Sequence, residues 1–380
     1  MIALENCRMS TIAFANNDRP TIGIELELGI VDRQTMALAN SFAALARQLK
    51  ADGNPSYKPE LKQSVLEINT DVCDSVAEAE DDLRAKIIEV QQAADALGLG
   101  LWWGGSHPFS KWKDQLTTPT ERYESLVELL QELAQRLVTF GLHVHVGVDS
   151  GDKAVMICDR ILRHLPVLLA LSTSSPFWED RRTGLHSYRT KVMEGLPTAG
   201  LPPLMRNWSE YVWLVNHMVD TGFINSVREL WWDVRPHHRF GTVEVRVCDM
   251  PGNLDDVLAL AALIQCLVQA LSDEIDEGTY QHDCHPMMVR QNKWRAARYG
   301  IDAKLVDTYT FEVQSVPVAL DRLLEKLAGT ATQLRCAERL EQCRQMAAGP
   351  SWSQRQLTAA DHSENAADAV RKILQMSRLS

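Results

Sequence analysis

The sequence predicts an α+β fold: a mainly antiparallel sheet with one polar face and helices packed on the other. Three observations carry this reading. Several segments alternate, with aliphatic residues on one parity and acids, histidines or an arginine on the other. Between them lie longer stretches with apolar residues three or four apart, the spacing of one helix face. The polar parity also recurs from strand to strand, as in a sheet with one face on a core and the other open.

Residues 21–31 set Ile22, Ile24, Leu26, Leu28 and Ile30 against Gly23, Glu25, Glu27 and Gly29. Side chains alternate across a strand, so both glutamates project from one face. Residues 65–71 place Val65, Glu67 and Asn69 on one parity, and 99–106 are apolar and then glycine-rich. Residues 140–148 oppose Leu142, Val144, Val146 and Val148 to His143, His145 and Gly147, and 227–234 form a less regular strand. In 242–248, Val243, Val245 and Val247 stand opposite Glu244 and Arg246. Helices are expected at 75–97, with Val76, Ala79, Leu83, Ile87, Val90, Ala94 and Leu97 on one face, and at 118–139, opened by Thr118, Pro119 and Glu121. Further helices are expected at 153–171, 254–275, 316–328, 332–347 and 363–377. Gly and Pro make 198–203 a loop. No repeat or long linker divides the chain, so 1–380 reads as one catalytic domain, with an extension at 1–18 and a helical region from about 313.

A chain of 380 residues with 45% apolar and 23% charged residues has ordinary globular composition. The net charge of −11 argues against a nucleic-acid partner, because phosphate backbones want a basic surface. A local nucleotide pocket needs only a few arginines and metal ions. No apolar run comes near the roughly 20 residues that span a bilayer, and residues 1–18 show no basic segment followed by an apolar one. The eight cysteines are scattered, without a C-x-x-C pair, as expected of reduced thiols in the cytoplasm. The expected partners are small molecules, with no membrane. A homodimer is open, since the aliphatic helix faces could serve an interface as well as a core.

Glu25 and Glu27 lie about 7 Å apart along one strand face. One such pair is commonly just a solvated surface. Here the polarity recurs on three other strands, and neighbouring carboxylates repel unless cations sit between them. Hard cations such as Mg²⁺ take oxygen ligands and substrate phosphates. Glu60 and Glu67 differ in parity, so Glu67, with Asn69, is the strand-borne candidate, while surface and metal roles are evenly balanced for Glu60. His143 and His145 share a face and could bind Zn²⁺, but the carboxylate company favours Mg²⁺ or Mn²⁺. Gly141 and Gly147 allow close approach or bends. Glu244 and Arg246 are either a same-face ion pair or a metal ligand beside a phosphate-binding guanidinium. Arg181, Arg182, Arg189 and Lys191 fall in a loop-like stretch, 176–200, where arginine either grips a carboxylate or is solvated. Residues 290–300, with Arg295 and Arg298, read as a basic helix face or as help with nucleotide phosphates. There is no P-loop, no G-x-G-x-x-G after a strand and no G-x-S-x-G.

Taken in order, Gly23-Ile-Glu-Leu-Glu27, Glu60-Leu-Lys-Gln-Ser-Val-Leu-Glu67-Ile-Asn, Gly141-Leu-His-Val-His145, Glu244-Val-Arg246-Val-Cys-Asp249 and Asn292-Lys-Trp-Arg-Ala-Ala-Arg-Tyr-Gly-Ile-Asp302 resemble the type 2 glutamate–cysteine ligase family, in its YbdK-like carboxylate–amine ligase branch. The resemblance runs from about residue 20 to about 375. It implies a glutamine-synthetase-like fold with a six-stranded antiparallel sheet forming a cup. It also implies ATP, Mg²⁺ or Mn²⁺, and a γ-glutamyl phosphate on the way to γ-glutamyl amides such as γ-glutamylcysteine. By position, Glu25, Glu27, Glu60, Glu67, His143 and Glu244 resemble metal ligands. Arg246 resembles the phosphate contact, which with Glu67 is the expected catalytic pair, and Arg189 a substrate-carboxylate contact. The rivals are a kinase on the same sheet, a nucleotide or metal sensor, and a metallohydrolase.

Overall fold

The alternation at the start of the chain becomes the central strand β1 (Ile22–Asp32), whose even-numbered aliphatic residues from Ile22 to Ile30 are buried while Glu25 and Glu27 stay partly open. The computed structural model describes residues 12–50, 53–279 and 284–379. Cys7 lies outside them, and the other seven cysteines are buried free thiols.

Six more strands join β1: β2 (Tyr57–Pro59), β3 (Val65–Asn69), β4 (Leu99–Trp102), β5 (Gly141–Gly147), β6 (Val234–His237) and β7 (Thr242–Asp249). Six follow one path, β6-β7-β5-β1-β3-β2, and β4 pairs with the far half of β1. Every pairing in this sheet is antiparallel. The expected six-stranded sheet is therefore present, with β4 as a seventh strand extending β1 beyond the polar face.

Helices cover the aliphatic face. α1 (Val76–Ala96) starts at Ser75, whose side chain accepts the Glu78 amide, and buries Val76, Ala79, Leu83, Ile87 and Val90. The core helix is α7 (Leu254–Asp276), packed on β5 and on α3 (Gly151–Ile161). Between these lie α2 (Glu121–Leu130), α4 (Leu165–Ser172), α5 (Arg189–Met193) and α6 (Trp208–Asp220). The chain ends in α8 (Pro286–Tyr299), α9 (Val316–Gln333), α10 (Ala337–Ala348), α11 (Trp352–Asp361) and α12 (Ala366–Ser377). α7 is long and apolar enough to cross a bilayer, although Gln265 and Gln269 hide its length in the sequence; it is buried in the protein core.

Four expected elements are corrected. The helix expected over 118–139 starts at Glu121, capped by Thr120, and stops at Gln131, which adopts φ 50°. Thr118 is engaged elsewhere, its hydroxyl donating to the Glu60 carbonyl (2.6 Å). The helix expected over 153–171 splits into α3 and α4, because Pro166 has no N–H to continue the ladder. The helix over 332–347 begins later, at Ala337, after Arg335 turns to φ 56°. The strand expected at 227–234 begins instead as a 3₁₀ turn, Val227–Glu229, followed by a two-residue strand, Trp231–Trp232, outside the main sheet, and the sheet strand β6 starts only at Val234. That shift brings Arg235 opposite Glu244.

Candidate active site

The sheet register assembles the polar face rung by rung. Glu25 stands opposite His143 on one side and Asn69 on the other, and Glu27 opposite Glu67. Glu244 stands opposite both His145 and Arg235. The result is an open cavity of about 1350 Å³, including solvent at its mouth, lined by all five glutamates and the one histidine expected as metal ligands, by Arg246 and by Arg189.

One group of ligands lies at the centre. Glu25, His143 and Glu244 hold ligand atoms within 4.8 Å of one another. His143 Nδ1 is 3.2 Å from Glu25 Oε2, while His145 Nε2 is 3.4 Å from Glu25 Oε1 and 3.9 Å from Glu244 Oε1. Arg235 grips Glu244 with two hydrogen bonds, Nε to Oε2 (2.7 Å) and Nη2 to Oε1 (3.2 Å), and Arg246 binds Oε1 as well. Both readings of the Glu244–Arg246 pair thus have a basis: the ion pair exists, and it sits in the cavity. Burial pushes the Glu25 and Glu244 carboxyls up. The neighbouring imidazoles for Glu25, and Arg235, Arg246 and His145 for Glu244, outweigh it and hold both well below the usual carboxylate range.

The second group lies toward the sheet edge. Glu60 directly follows β2, a separate strand whose Lys58 stands opposite Glu67 on β3, so the parity mismatch disappears. Tyr123 and Thr118 fix this edge by donating to the Pro59 and Glu60 carbonyls. Glu67 accepts from Asn69 Nδ2 (2.8 Å) and lies 3.3 Å from Lys58 Nζ. Burial, then the charges of Glu67 and Glu27, push the Glu60 carboxyl well above its usual range, and it hydrogen-bonds to Glu67. Carboxylates crowded together in this way are a fitting place for a divalent cation. The oxygen-rich donor sets of both groups fit Mg²⁺ or Mn²⁺ better than Zn²⁺.

Arg189 lies over Gly141, where a Cβ would come within 2.2 Å of its Nη2. Its guanidinium donates to the carbonyls of Arg246 (3.3 Å) and Val247 (3.4 Å). By contrast, Arg295 and Arg298 are not brought to the cavity. Arg295 Nη1 donates to the Lys304 carbonyl, and Arg298 packs on the Tyr299 ring. Helix periodicity turns Lys293 inward instead, where it is buried between Asp233 (2.5 Å) and Glu194 (3.0 Å). Asn292 exchanges two hydrogen bonds with the Val306 backbone. That segment anchors the site and does not line it. Arg182 pairs with Asp361 at the surface, the solvated outcome.

Lys58, Arg122, Tyr123, Arg228, Trp231, Arg235, His237 and Phe240 also line the cavity and were not singled out in the sequence. Arg235 was legible in principle: in Val234-Arg-Pro-His237 it shares a parity with His237, just ahead of a turn.

The glutamate–cysteine ligase family 2 model matches residues 21–374. A Gloeobacter violaceus protein named "Putative glutamate--cysteine ligase 2" is 40% identical over 329 residues, 86% of this chain and 88% of that one. A protein of the same name from Thermobifida fusca is 41% identical over 335 residues, 87% and 84% of the two chains. Among solved structures, glutamate–cysteine ligase from Francisella tularensis, in complex with AMP, superposes with TM-score 0.70 at 14% identity, covering 96% of this chain and 90% of that one. A bifunctional glutathione synthetase from Pasteurella multocida gives 0.69 at 16% identity, covering 94% and 52%. These two show the fold, and it is the cup-shaped ligase fold that the motifs implied. Matched by the family model almost end to end, and by relatives near 40% identity, the chain belongs to glutamate–cysteine ligase family 2 and is an enzyme of the ligase class.

Proposed function

We propose that this single-domain protein is an ATP-dependent carboxylate–amine ligase that forms γ-glutamyl amides, with L-glutamate as the acid and L-cysteine as an amine it accepts. The observation that carries the reading is the pairing of two ligand groups on adjacent rungs of one cavity, with Arg246 beside one and Arg189 at its wall. The Francisella ligase of the same fold was solved in complex with AMP, which supports nucleotide use here. Mg²⁺ held by Glu25, His143 and Glu244, and by Glu27, Glu60 and Glu67, would neutralise the polyphosphate.

The residues of the chain then act mainly by position and charge. Arg246 faces the transferring phosphoryl group, as Glu244 fixes its guanidinium. Arg189 holds the non-reacting carboxylate of the acid. A γ-carboxylate oxygen displaces ADP from the γ-phosphorus, giving an acyl phosphate. The amine nitrogen attacks the acyl carbon and loses a proton, and phosphate leaves. Water must be kept from the acyl phosphate, or it hydrolyses before the amine attacks. The free buried thiols fit a cytoplasmic setting.

The test is ADP release with ATP and Mg²⁺, adding L-glutamate, L-cysteine, both or neither. ADP that rises only with both, together with a new amide, is the expected result. A stable phosphorylated product from the acid alone would make the protein a kinase. ATP binding without turnover, under a wide panel of acids and amines, would make it a sensor.

A further inference from the structure

Asp249, at the end of β7, has no part in the reaction above, yet its carboxylate is fully buried. Burying a carboxylate is costly unless it is paired and hydrogen-bonded. Here Oδ2 accepts from the Ser175 hydroxyl (2.6 Å) and the Ser174 amide (3.1 Å), and Oδ1 from the Ser187 hydroxyl (2.8 Å). The donors come from both ends of the excursion between α4 and α5. Asp249 therefore closes that excursion like a clasp.

The same hydroxyls continue to Arg189. Ser175 Oγ accepts the Arg189 amide (3.1 Å), and Ser187 Oγ pairs with Thr190 Oγ1 (2.8 Å). The start of α5 is thus pinned at two points that both lead back to one carboxylate. Two glycines make the room. A Cβ on Gly105 would lie 2.7 Å from Asp249 Oδ2, and one on Gly141 would lie 2.2 Å from Arg189 Nη2. Gly141 is also the residue paired with Asp249 across the sheet, and its amide donates to Glu27 Oε2 (2.5 Å). Asp249, Arg189 and Glu27 therefore meet around a single rung.

The strand itself helps to aim the guanidinium. Between Val245 and Cys248 the pairing of β7 with β5 shifts by one residue. The irregularity presents the carbonyls of Arg246 and Val247 to Arg189. Among the described residues Arg189 makes no ion pair with a carboxylate, and its Nε is buried without a hydrogen-bond partner. Asp249 acts on it only at a distance, and the guanidinium keeps an unpaired donor beside the cavity. The donors use both carboxylate oxygens, so a neutral amide at position 249, with a single acceptor oxygen, would lose part of the clasp together with the charge that acts on Arg189.

We infer that Asp249, acting through Ser175 and Ser187, is the positioning residue that fixes Arg189 to receive the carboxylate of the acid substrate. This rests on the reading of Arg189 as the substrate-carboxylate contact. The experiment compares Asp249→Asn, Ser187→Ala, Arg189→Ala and the double variant Asp249→Asn/Arg189→Ala by steady-state kinetics. The KM for L-glutamate and the KM for ATP are read separately, calorimetry follows L-glutamate binding, and thermal unfolding checks the fold. Asp249→Asn is expected to raise the KM for L-glutamate about tenfold and weaken its binding equally, with the KM for ATP within about twofold. The double variant is expected to be no worse than Arg189→Ala by more than about twofold, since both changes remove one interaction. Should Asp249→Asn fail to fold, Ser187→Ala is expected to give the same split at about threefold.

An unchanged KM for L-glutamate in Asp249→Asn, or in Ser187→Ala if that variant must stand in, with a raised one in Arg189→Ala, would overturn the role of Asp249 alone. Equal losses for both substrates, or additive effects in the double variant, would do the same and leave Asp249 a fold residue. An unchanged KM in Arg189→Ala would instead overturn the reading of Arg189.

Discussion

The two candidate ligand groups in the cup are both built around glutamates, yet they stand in opposite electrostatic states. Around Glu25 and Glu244 the chain supplies its own partners, Arg235 and Arg246 and the hydrogen-bonding imidazoles, and both carboxyls are held low. Around Glu60 and Glu67 the nearby cations are Lys58 and the more distant Arg122, and the Glu60 carboxyl is pushed up by burial and by its acidic neighbours. The first group is balanced before any ligand arrives. The second is frustrated until a cation enters. A divalent ion should therefore stabilise the edge of the sheet more than its centre.

The largest effects test whether both groups are needed at all. Replacing Glu27 or Glu244 with alanine should abolish ADP release, and near-normal turnover in either variant would sink the metal assignment. The contrast between groups sharpens in stability. Glu244→Gln strands Arg235 and Arg246 in a buried site and should cost about 3–5 kcal/mol in denaturant unfolding. Glu60→Gln should cost far less without metal, because it replaces a group already driven to its neutral form. If the two lose equal stability, the contrast is wrong.

Next comes metal removal. Saturating Mg²⁺ should stabilise the parent by about 2–3 kcal/mol at a hundredfold excess over Kd, and Glu60→Gln should lose much of that gain in thermal unfolding. A chelator should bring the two proteins together.

The pH dependence has opposite signs in the two groups. Glu60 is raised on folding, so the metal-free native state holds a proton that the unfolded chain has released. Stability then falls as pH rises from the ordinary carboxylate range through the raised value, by up to about 1.4 kcal/mol per unit. Glu25 and Glu244 are depressed, so their contribution is present above the ordinary range and is lost as pH falls through their lowered values. Glu60→Gln should flatten the alkaline-side fall and leave the acid-side loss in place. Mg²⁺ affinity should rise with pH, since the ion displaces the Glu60 proton. The smallest effect belongs to Lys58→Ala, worth about 0.5 kcal/mol because that side chain is half exposed; a much larger loss would mean the edge group is better balanced than the geometry indicates.

How far the site was legible depended on whether its residues share a strand. Glu25 with Glu27, His143 with His145, and Glu244 with Arg246 could be placed on common faces from period-two alternation alone. Glu60 could not, because a turn stands between it and Glu67, and parity does not carry across a turn. Arg235 was missed when the strand was read too early, at 227–234. Arg295 and Arg298 were read as one basic cluster, but the helix turns Lys293 inward between two acids and leaves Arg295 on the outer side.

By itself the sequence determined the α+β class, the polar parity of the strands, the family and most of the residues that line the cup, because these follow from local periodicity and from residues adjacent in the chain. The tertiary structure alone decided which rungs meet, that Arg235 shares Glu244, that burial and acidic neighbours raise Glu60, and that Asp249 binds Ser175 and Ser187, which hold Arg189 and Thr190 at the start of α5. Those facts depend on register and on close approach between segments tens of residues apart, which are fixed by packing the whole sheet on its helices and not by any local pattern.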